Sequence, residues 1–541
     1  MLPRLSFHGA ARSVTGSCFR LQTDSGAILI DCGLFQGSKT EKDLNYRPFP
    51  FDPAGIAAVV LSHAHIDHSG LLPRLARDGF RGPIHATEPT AALCGAMLPD
   101  SAHIQEMEVE SLNRRNLHRN RPPVTPIYDM ADAERTLSQF RTQDYDAWFT
   151  VIPGVRARFW NAGHLLGSAS IEVEVDQPDA PLRSLFSADI GPDSKLLQPD
   201  PTGPAGIDYL ICESTYGDTD RIDASAERRR ALLRDEVQAA IHPNGALLIP
   251  SFAVERAQEL IADLTRLMRD GALPVIPIYV DSPLATKATR IFANHARALE
   301  GGADLLDSLR TPHLHFTETV EQSKALDRVQ GFHIVIAASG MCEAGRIRHR
   351  LKNWLWRDEG TVLLVGYQAE GTLGRILQDG AQTVRIQGED FTVRARIRSI
   401  DLYSGHADGP ELVQWIKERL PLRHTLFLVH GEEAAMAGLV ARLTGVVPQE
   451  RMMQPALDDA FSLSHDGPVR LASDVPPRLA PEQVARLDWH NDASRLILDI
   501  NAALGQAVDE RSRGVLVRRL RRALEEDASP PPPRSPRHRR H

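Results

Sequence analysis

A chain of 541 residues is longer than one compact core supports and implies two or three domains. Its 42% hydrophobic and 24% charged residues are those of an ordinary globular protein, and a net charge of −8 excludes a protein that coats nucleic acid by bulk electrostatics, leaving room only for a local basic channel. No apolar run approaches the ~20 residues that cross a bilayer, the first residues lack the layout of a secretory signal, and five scattered cysteines suit neither a disulfide framework nor a thiolate metal site, which together imply a cytoplasmic protein with reduced, mostly buried thiols.

From Met1 to about Tyr216, short apolar runs alternate with polar, Gly-rich turns. Several runs end in an ionisable residue: AILID at Asp31, AAVVLSHAH at His63 and His65, SLFSAD at Asp189 and DYLICE at Glu213. Groups at the ends of rigid strands are held more accurately than groups in mid-loop. From about Gly217 to Gln387 the texture changes. Helical stretches at 226–241 and 256–269 alternate with GALLIP, PVIPIYVDS, HIVIAASG and TVLLVGYQ, which indicates an α/β domain with a mostly parallel sheet. Its polar strand ends at Asp281, Ser339, Gly340 and Gly366 lie where such a sheet binds ligands.

After Gly388 the earlier pattern returns with TVRARIRSIDLYSGHAD and HTLFLVHGEE, so 217–387 reads as an insertion within a domain built from 1–216 and 388–472. Residues 473–541 form an extension: a Pro-rich joint, helical stretches at 481–504 and 509–526, and the basic tail PPPPRSPRHRRH, whose composition implies disorder. If Leu487, Leu496, Leu498 and Ile500 pack against a second copy, the protein is a homodimer. For the arginines at 511–522, and for Arg114, Arg115, Arg119 and Arg121 in NRRNLHRNRPP, two readings stand: contact with RNA or a solvated face.

The strongest chemical signal is SHAHIDHSG, which places His63, His65, Asp67 and His68 within six positions of an apolar strand. Residues two apart in an extended turn point the same way, so His63 and His65 can grip one metal while Asp67 and His68 reach a neighbour. Burying so many ionisable groups behind Ala, Val and Leu is costly without a cation.

H-x-H-x-D-H after a buried strand resembles the signature of the metallo-β-lactamase superfamily. That resemblance implies an αββα sandwich, with His164 of AGHLLGSAS completing the first zinc site and Asp189 of SADIG bridging two zincs. Asp31 in ILIDCGLFQG matches the motif whose carboxylate orients a ligand histidine. Cys32 beside it reads as a packed thiol. CESTYGD with Glu213, LYSGHADGPEL with His406 and LVHGEEAAM with His430 resemble the β-CASP nucleases, as do IPSFAVERAQEL, VDSPLATKAT, AASGMCEAGRIRHRL and VGYQAEGTLGR in the inserted region. The resemblance is to bacterial and archaeal relatives of the nuclease subunit of the cleavage and polyadenylation machinery, and it spans roughly residues 5–455. It implies that His430 completes the second zinc site and that His406 and Glu213 lie beside the metals. DNA-cutting members of the family typically carry Val in place of the last histidine, so His430 favours RNA. Glu255 and Ala344 depart from the pattern at positions where glycine is expected.

The implied activity is zinc-dependent hydrolysis of single-stranded RNA. A water bridging two zincs is activated near neutral pH, and in-line attack leaves a 5′-phosphate and a 3′-hydroxyl. His63, His65 and His164 are assigned to one zinc, Asp67, His68 and His430 to the other. His406 either stabilises the scissile phosphate or protonates the leaving oxygen, with Glu213 orienting it. Ser339, Gly340 and Arg346 suit a phosphate of the substrate, although Arg346 has the alternative of pairing with a carboxylate. The rival readings are a DNA nuclease of the same family and a small-molecule lactonase or thioesterase, which needs no large insertion.

Overall fold

The computed structural model describes residues 2–118, 120–193, 195–221, 225–368, 372–472, 478–479, 496, 500, 503–504 and 509–526. The chain forms two units, residues 1–486 and 487–541.

In the first unit, two sheets face each other. One runs Val469–Arg470, Ala460–Ser462, Arg4–Phe7, Phe19–Thr23, Gly26–Ile30, Ile56–Val60, Ile84–Ala86, Phe140–Thr142. The other runs Met452–Met453, Thr425–Val429, Tyr209–Glu213, Leu182–Phe186, Ala169–Val175, Val155–Asn161, Phe149–Ile152. The period-2 alternation of a strand explains the layering. Ile28, Ile30, Ala58 and Val60 meet Phe159, Ile171, Phe186 and Phe427 between the sheets. Leu29, Val59 and Leu61 turn outward to Leu72, Leu75 and Leu93 on the helices. On the far side Leu185, Leu210, Leu426 and Leu428 are covered by Leu412, Trp415, Met436 and Leu439 of helices Gly409–Lys417 and Glu433–Arg442. The result is the expected αββα sandwich. Strands such as Gly26–Ile30 and Ile56–Val60 read as unbroken apolar runs because both faces are buried.

A third sheet runs Leu314–Phe316, Ile278–Val280, His333–Ala337, Ala246–Pro250, Gly360–Leu364, Arg396–Ser399, and every pairing in it is parallel. Helices Ala226–Ala240 and Arg256–Arg269 cover one face through Leu233, Leu260 and Leu264, and helix Ile347–Trp354 covers the other through Ile347 and Leu351. The inserted α/β region thus has the parallel sheet that its alternation predicts. Arg396–Ser399, placed by sequence texture in the returning segment, pairs with Gly360–Leu364 as the edge strand of this sheet. Its exposed arginines mask its membership, since an edge strand buries little.

All five cysteines are free and buried. The Cys32 thiol is pushed well up by burial, so it stays neutral as a packed thiol does. Arg114 and Arg115 lie exposed at the end of helix Glu88–His118, Arg114 pairing with Glu110 at 3.4 Å, while Arg119 lies outside the described residues. No helix among the described residues is long and apolar enough to cross a membrane.

In the second unit, helix Glu510–Glu526 begins where the Asp509 side chain accepts the Ser512 amide at 2.7 Å. Its arginines 511, 513, 518, 519, 521 and 522 are exposed. Leu487, Leu498, the basic tail and most of the stretch expected at 481–504 lie outside the described residues.

Candidate metal centre

Four strands of the sandwich deliver the site from their carboxyl ends. Asp31 follows Gly26–Ile30, the SHAHIDH turn follows Ile56–Val60, Glu213 closes Tyr209–Glu213, and His430 follows Thr425–Val429. Asp189 follows Leu182–Phe186 by three residues, and His164 lies on the turn between Val155–Asn161 and Ala169–Val175. Asp31, Ala188 and His430 hold φ of 61°, 51° and 49°, so the chain is turned sharply where the ligands begin.

The ligand atoms fall into two nests that share Asp189. Its Oδ2 lies 3.5 Å from His63 Nε2 and 3.6 Å from His164 Nε2, and His164 Nε2 lies 3.1 Å from His65 Nδ1. Its Oδ1 lies 3.2 Å from His68 Nε2 and 3.4 Å from His430 Nε2, with Asp67 Oδ2 3.7 Å from the latter. His63 Nε2 and Asp189 Oδ1 are buried without a hydrogen-bond partner among the described residues. One orphaned atom lies in each nest, and a buried polar atom without a partner costs stability unless a cation engages it. The donor set therefore fits a pair of metal ions.

Outer partners hold each of four rings by its other nitrogen. His68 Nδ1 lies 2.7 Å from Asp31, His63 Nδ1 3.0 Å from Ser62 Oγ, His164 Nδ1 2.6 Å from the Gly405 carbonyl, and His430 Nδ1 3.1 Å from Thr215 Oγ1. Such partners set tautomer and ring orientation. Burial pushes His63 and His164 well down and His65 to about 4, which leaves neutral imidazoles with a lone pair to donate. Burial likewise disfavours charge on His68 and His430, but Asp189 and its neighbouring carboxylates outweigh it and raise both. Burial would raise Asp189 too, yet the encircling histidines, His430 and His68 foremost, hold it well down. The pocket is built around a demand for positive charge.

His406 and Glu213 complete the surroundings. Glu213 Oε1 lies 3.3 Å from His406 Nδ1 and accepts the Ile190 amide at 2.6 Å, and Oε2 accepts the Thr215 amide at 3.2 Å. The opposite nitrogen, His406 Nε2, lies 3.9 Å from Asp189 Oδ2, so the ring bridges Glu213 and the metal nests. A further group joins Asp208 and His424, at the opposite ends of strands Tyr209–Glu213 and Thr425–Val429, to His465. There the carboxylate is already engaged by Arg423 at 3.1 Å and the Arg183 amide at 2.8 Å.

Ser339 and Gly340 end strand His333–Ala337. Ser339 Oγ accepts the Ala344 amide at 3.2 Å, and a Cβ on Gly340 would come within 3.1 Å of the Phe252 ring. Arg346 takes its alternative partner: Nη1 donates to Asp281 at 3.0 Å and Thr317 O at 3.1 Å, and Nη2 to Glu318 O at 2.9 Å. Glu255 does stand in a glycine-type conformation, φ 68°, and is kept there by its buried carboxylate, which accepts the Leu166 amide at 3.2 Å and Gln198 Nε2 at 3.0 Å. The orienting groups Ser62, Thr215 and Gly405 lie inside SHAHIDHSG, CESTYGD and LYSGHADGPEL, but nothing in those stretches shows which ring each one holds.

Comparison with known proteins gives three family matches along the chain. The family described as metallo-beta-lactamase superfamily matches residues 12–205, the Beta-Casp domain 257–377, and the Zn-dependent metallo-hydrolase RNA specificity domain 390–451. A ribonuclease of Thermus thermophilus is 36% identical over 437 residues, covering 80% of this chain and 94% of that protein. Transcription termination factor FttA of Methanothermobacter thermautotrophicus is 30% identical, covering 79% of this chain and 67% of its own. An RNase J-like protein of Methanocaldococcus jannaschii is 30% identical, covering 79% of this chain and 92% of its own.

Proposed function

This chain belongs to the β-CASP family of the metallo-β-lactamase superfamily, and from that premise we propose that it is a zinc-dependent ribonuclease that hydrolyses phosphodiesters of single-stranded RNA to 5′-phosphate and 3′-hydroxyl ends. The observation that carries the reading is the division of the Asp189 carboxylate, one oxygen toward His63 and His164 and the other toward His68 and His430. His63, His65, His164 and Asp189 would hold one ion, and Asp67, His68, His430 and Asp189 the other. Two zinc ions so held supply positive charge for the phosphoryl oxygens and lower the pKa of water toward ~7.

The chain's own groups do the rest. Asp31, Ser62, Gly405 and Thr215 keep the ligand rings aimed, so no reorganisation is needed as charge develops. His406 lies on the open side of the centre, more exposed than any ligand histidine in the two nests except His65. With Glu213 on Nδ1, its Nε2–H is directed at the substrate, where it delivers a proton to the departing 3′-oxygen. The small-molecule alternatives leave His406, Glu213 and the whole third sheet without a task.

The test is cleavage of 5′-labelled single-stranded RNA and of DNA of matching sequence by zinc-loaded wild type and Asp67→Ala protein. Cleavage of RNA alone, lost in the variant, is the expected result. Cleavage of DNA alone, or of neither, overturns the reading.

A further inference from the structure

Beyond the metal nests, a cluster of cations and rings borders His406. The Tyr216 ring lies 6.1 Å from His406 and 6.2 Å from Tyr367 between centroids. The Arg221 guanidinium rests on the Tyr216 face at 4.4 Å and donates through Nη1 to the His406 carbonyl at 2.7 Å. Its Nε and Nη2 are buried without a hydrogen-bond partner among the described residues. Arg256 donates through Nε to the Tyr403 carbonyl at 2.7 Å and lies 5.0 Å over the Phe252 ring. Among the described residues its two terminal nitrogens bond no acceptor. Gly366 makes their room, since a Cβ there would stand 2.6 Å from Nη1.

These two arginines differ from their neighbours. Arg229 is spent on Asp263 at 2.9 Å, and Arg346 and Arg350 on Asp281, each at 3.0 Å. Among the described residues, Asp401 and Glu259 lie in electrostatic reach and Asp408 accepts the Arg221 backbone amide at 2.7 Å, and none of these carboxylates forms an ion pair with either guanidinium. The Arg221 donors, held away from water and unused, are costly unless an anion visits them, and the partly exposed Arg256 guanidinium has its terminal donors free to join it. Beside this pair two rings are partly exposed, Phe252 at 38% and Tyr367 at 46%.

We propose that Arg221 and Arg256 hold a phosphodiester of the RNA strand adjacent to the scissile one, while Phe252 and Tyr367 offer ring faces to its unpaired bases. The inference rests on the ribonuclease reading above. Alternating guanidinium and aromatic groups match the alternation of phosphate and base in a single strand. A duplex keeps its bases stacked inside and cannot use the rings.

The experiment measures KM for a short single-stranded RNA over a range of salt concentrations, with bis(p-nitrophenyl) phosphate as a diester that has no neighbouring nucleotide. Arg256→Gln is expected to raise KM for RNA about tenfold and to flatten the dependence of log KM on log salt by about 0.7, the share of one phosphate on a single strand. The loss on RNA should exceed the loss on the small diester by about tenfold. Equal losses on both substrates, or an unchanged salt slope, overturn the phosphate subsite. Tyr367→Ala, a surface change, should raise KM for RNA about tenfold with the salt slope intact, and an unchanged KM overturns the stacking role. Wild-type protein that cuts the small diester but not RNA refutes the ribonuclease reading itself, whereas wild type that cuts RNA beside an unaffected Arg256→Gln refutes only the subsite.

Discussion

The Asp31 carboxylate accepts the Nδ1–H of His68 at 2.7 Å through one oxygen and the Ser62 amide at 2.8 Å through the other, so a residue that faces no metal nest fixes the ring of one that does. Asp31→Asn should therefore weaken zinc binding by about 10–100-fold while leaving the ligand set intact. Competition against a chromophoric chelator measures this. Wild-type affinity in the variant would mean that His68 is oriented by other contacts.

Gly33 allows the loop carrying Asp67 to approach. A Cβ on residue 33 would lie 1.6 Å from the Asp67 carbonyl oxygen, which also accepts the Ser17 amide at 2.8 Å. Backbone cannot yield as a side-chain tip can, so Gly33→Ala should cost about 1–3 kcal/mol of stability and empty the Asp67/His68/His430 nest first. Native mass spectrometry should then count fewer than two ions per chain at zinc concentrations that saturate the wild type.

His406→Ala is expected to lower kcat by about 10²–10⁴-fold with zinc content unchanged. Glu213→Gln should act through the same imidazole. Because the two groups work as one unit, the double variant should be little worse than His406→Ala alone. Additive losses in kcat would assign them separate tasks.

A second, partly buried charge system joins Asp458, His8 and Arg478. Burial pushes the Asp458 carboxyl up, but hydrogen bonds from His8 and Arg478 outweigh it and hold it at about 2. A carboxyl whose folded pKa is depressed stabilises the fold above its ordinary pKa, near 4, and that stability is lost as pH falls through about 2. Asp458→Asn should cost at most about 2 kcal/mol near neutral pH, and the gap in Tm between variant and wild type should close as pH falls from about 4 to about 2. A gap that persists at the acid end would mean that the loss is one of packing.

How legible the site was depended on how local each relationship is. His63, His65, Asp67 and His68 sit within six positions after an apolar strand, and the structure does bring them together around Asp189. The strands and helices of the inserted region were equally readable, because 3.6- and 2-residue periodicities are local. Arg396–Ser399 escaped because an edge strand carries little apolar pattern. Arg346 was ambiguous because its carboxylate partner, Asp281, lies 65 residues away.

By itself, the sequence determined the residue types that face the metal nests, the strand ends that present them and the family to which they point, since each is written in a few consecutive residues. Only the tertiary structure decided which nitrogen of each ring faces the centre, that Ser62, Thr215 and Gly405 aim the rings, and that Arg221 and Arg256 keep unused donors beside His406. Sheet order places Asp31, Asp189 and His430 within one pocket, and sheet order is set by burying apolar faces across the whole chain, a sum over distant pairs that no short stretch of residues contains.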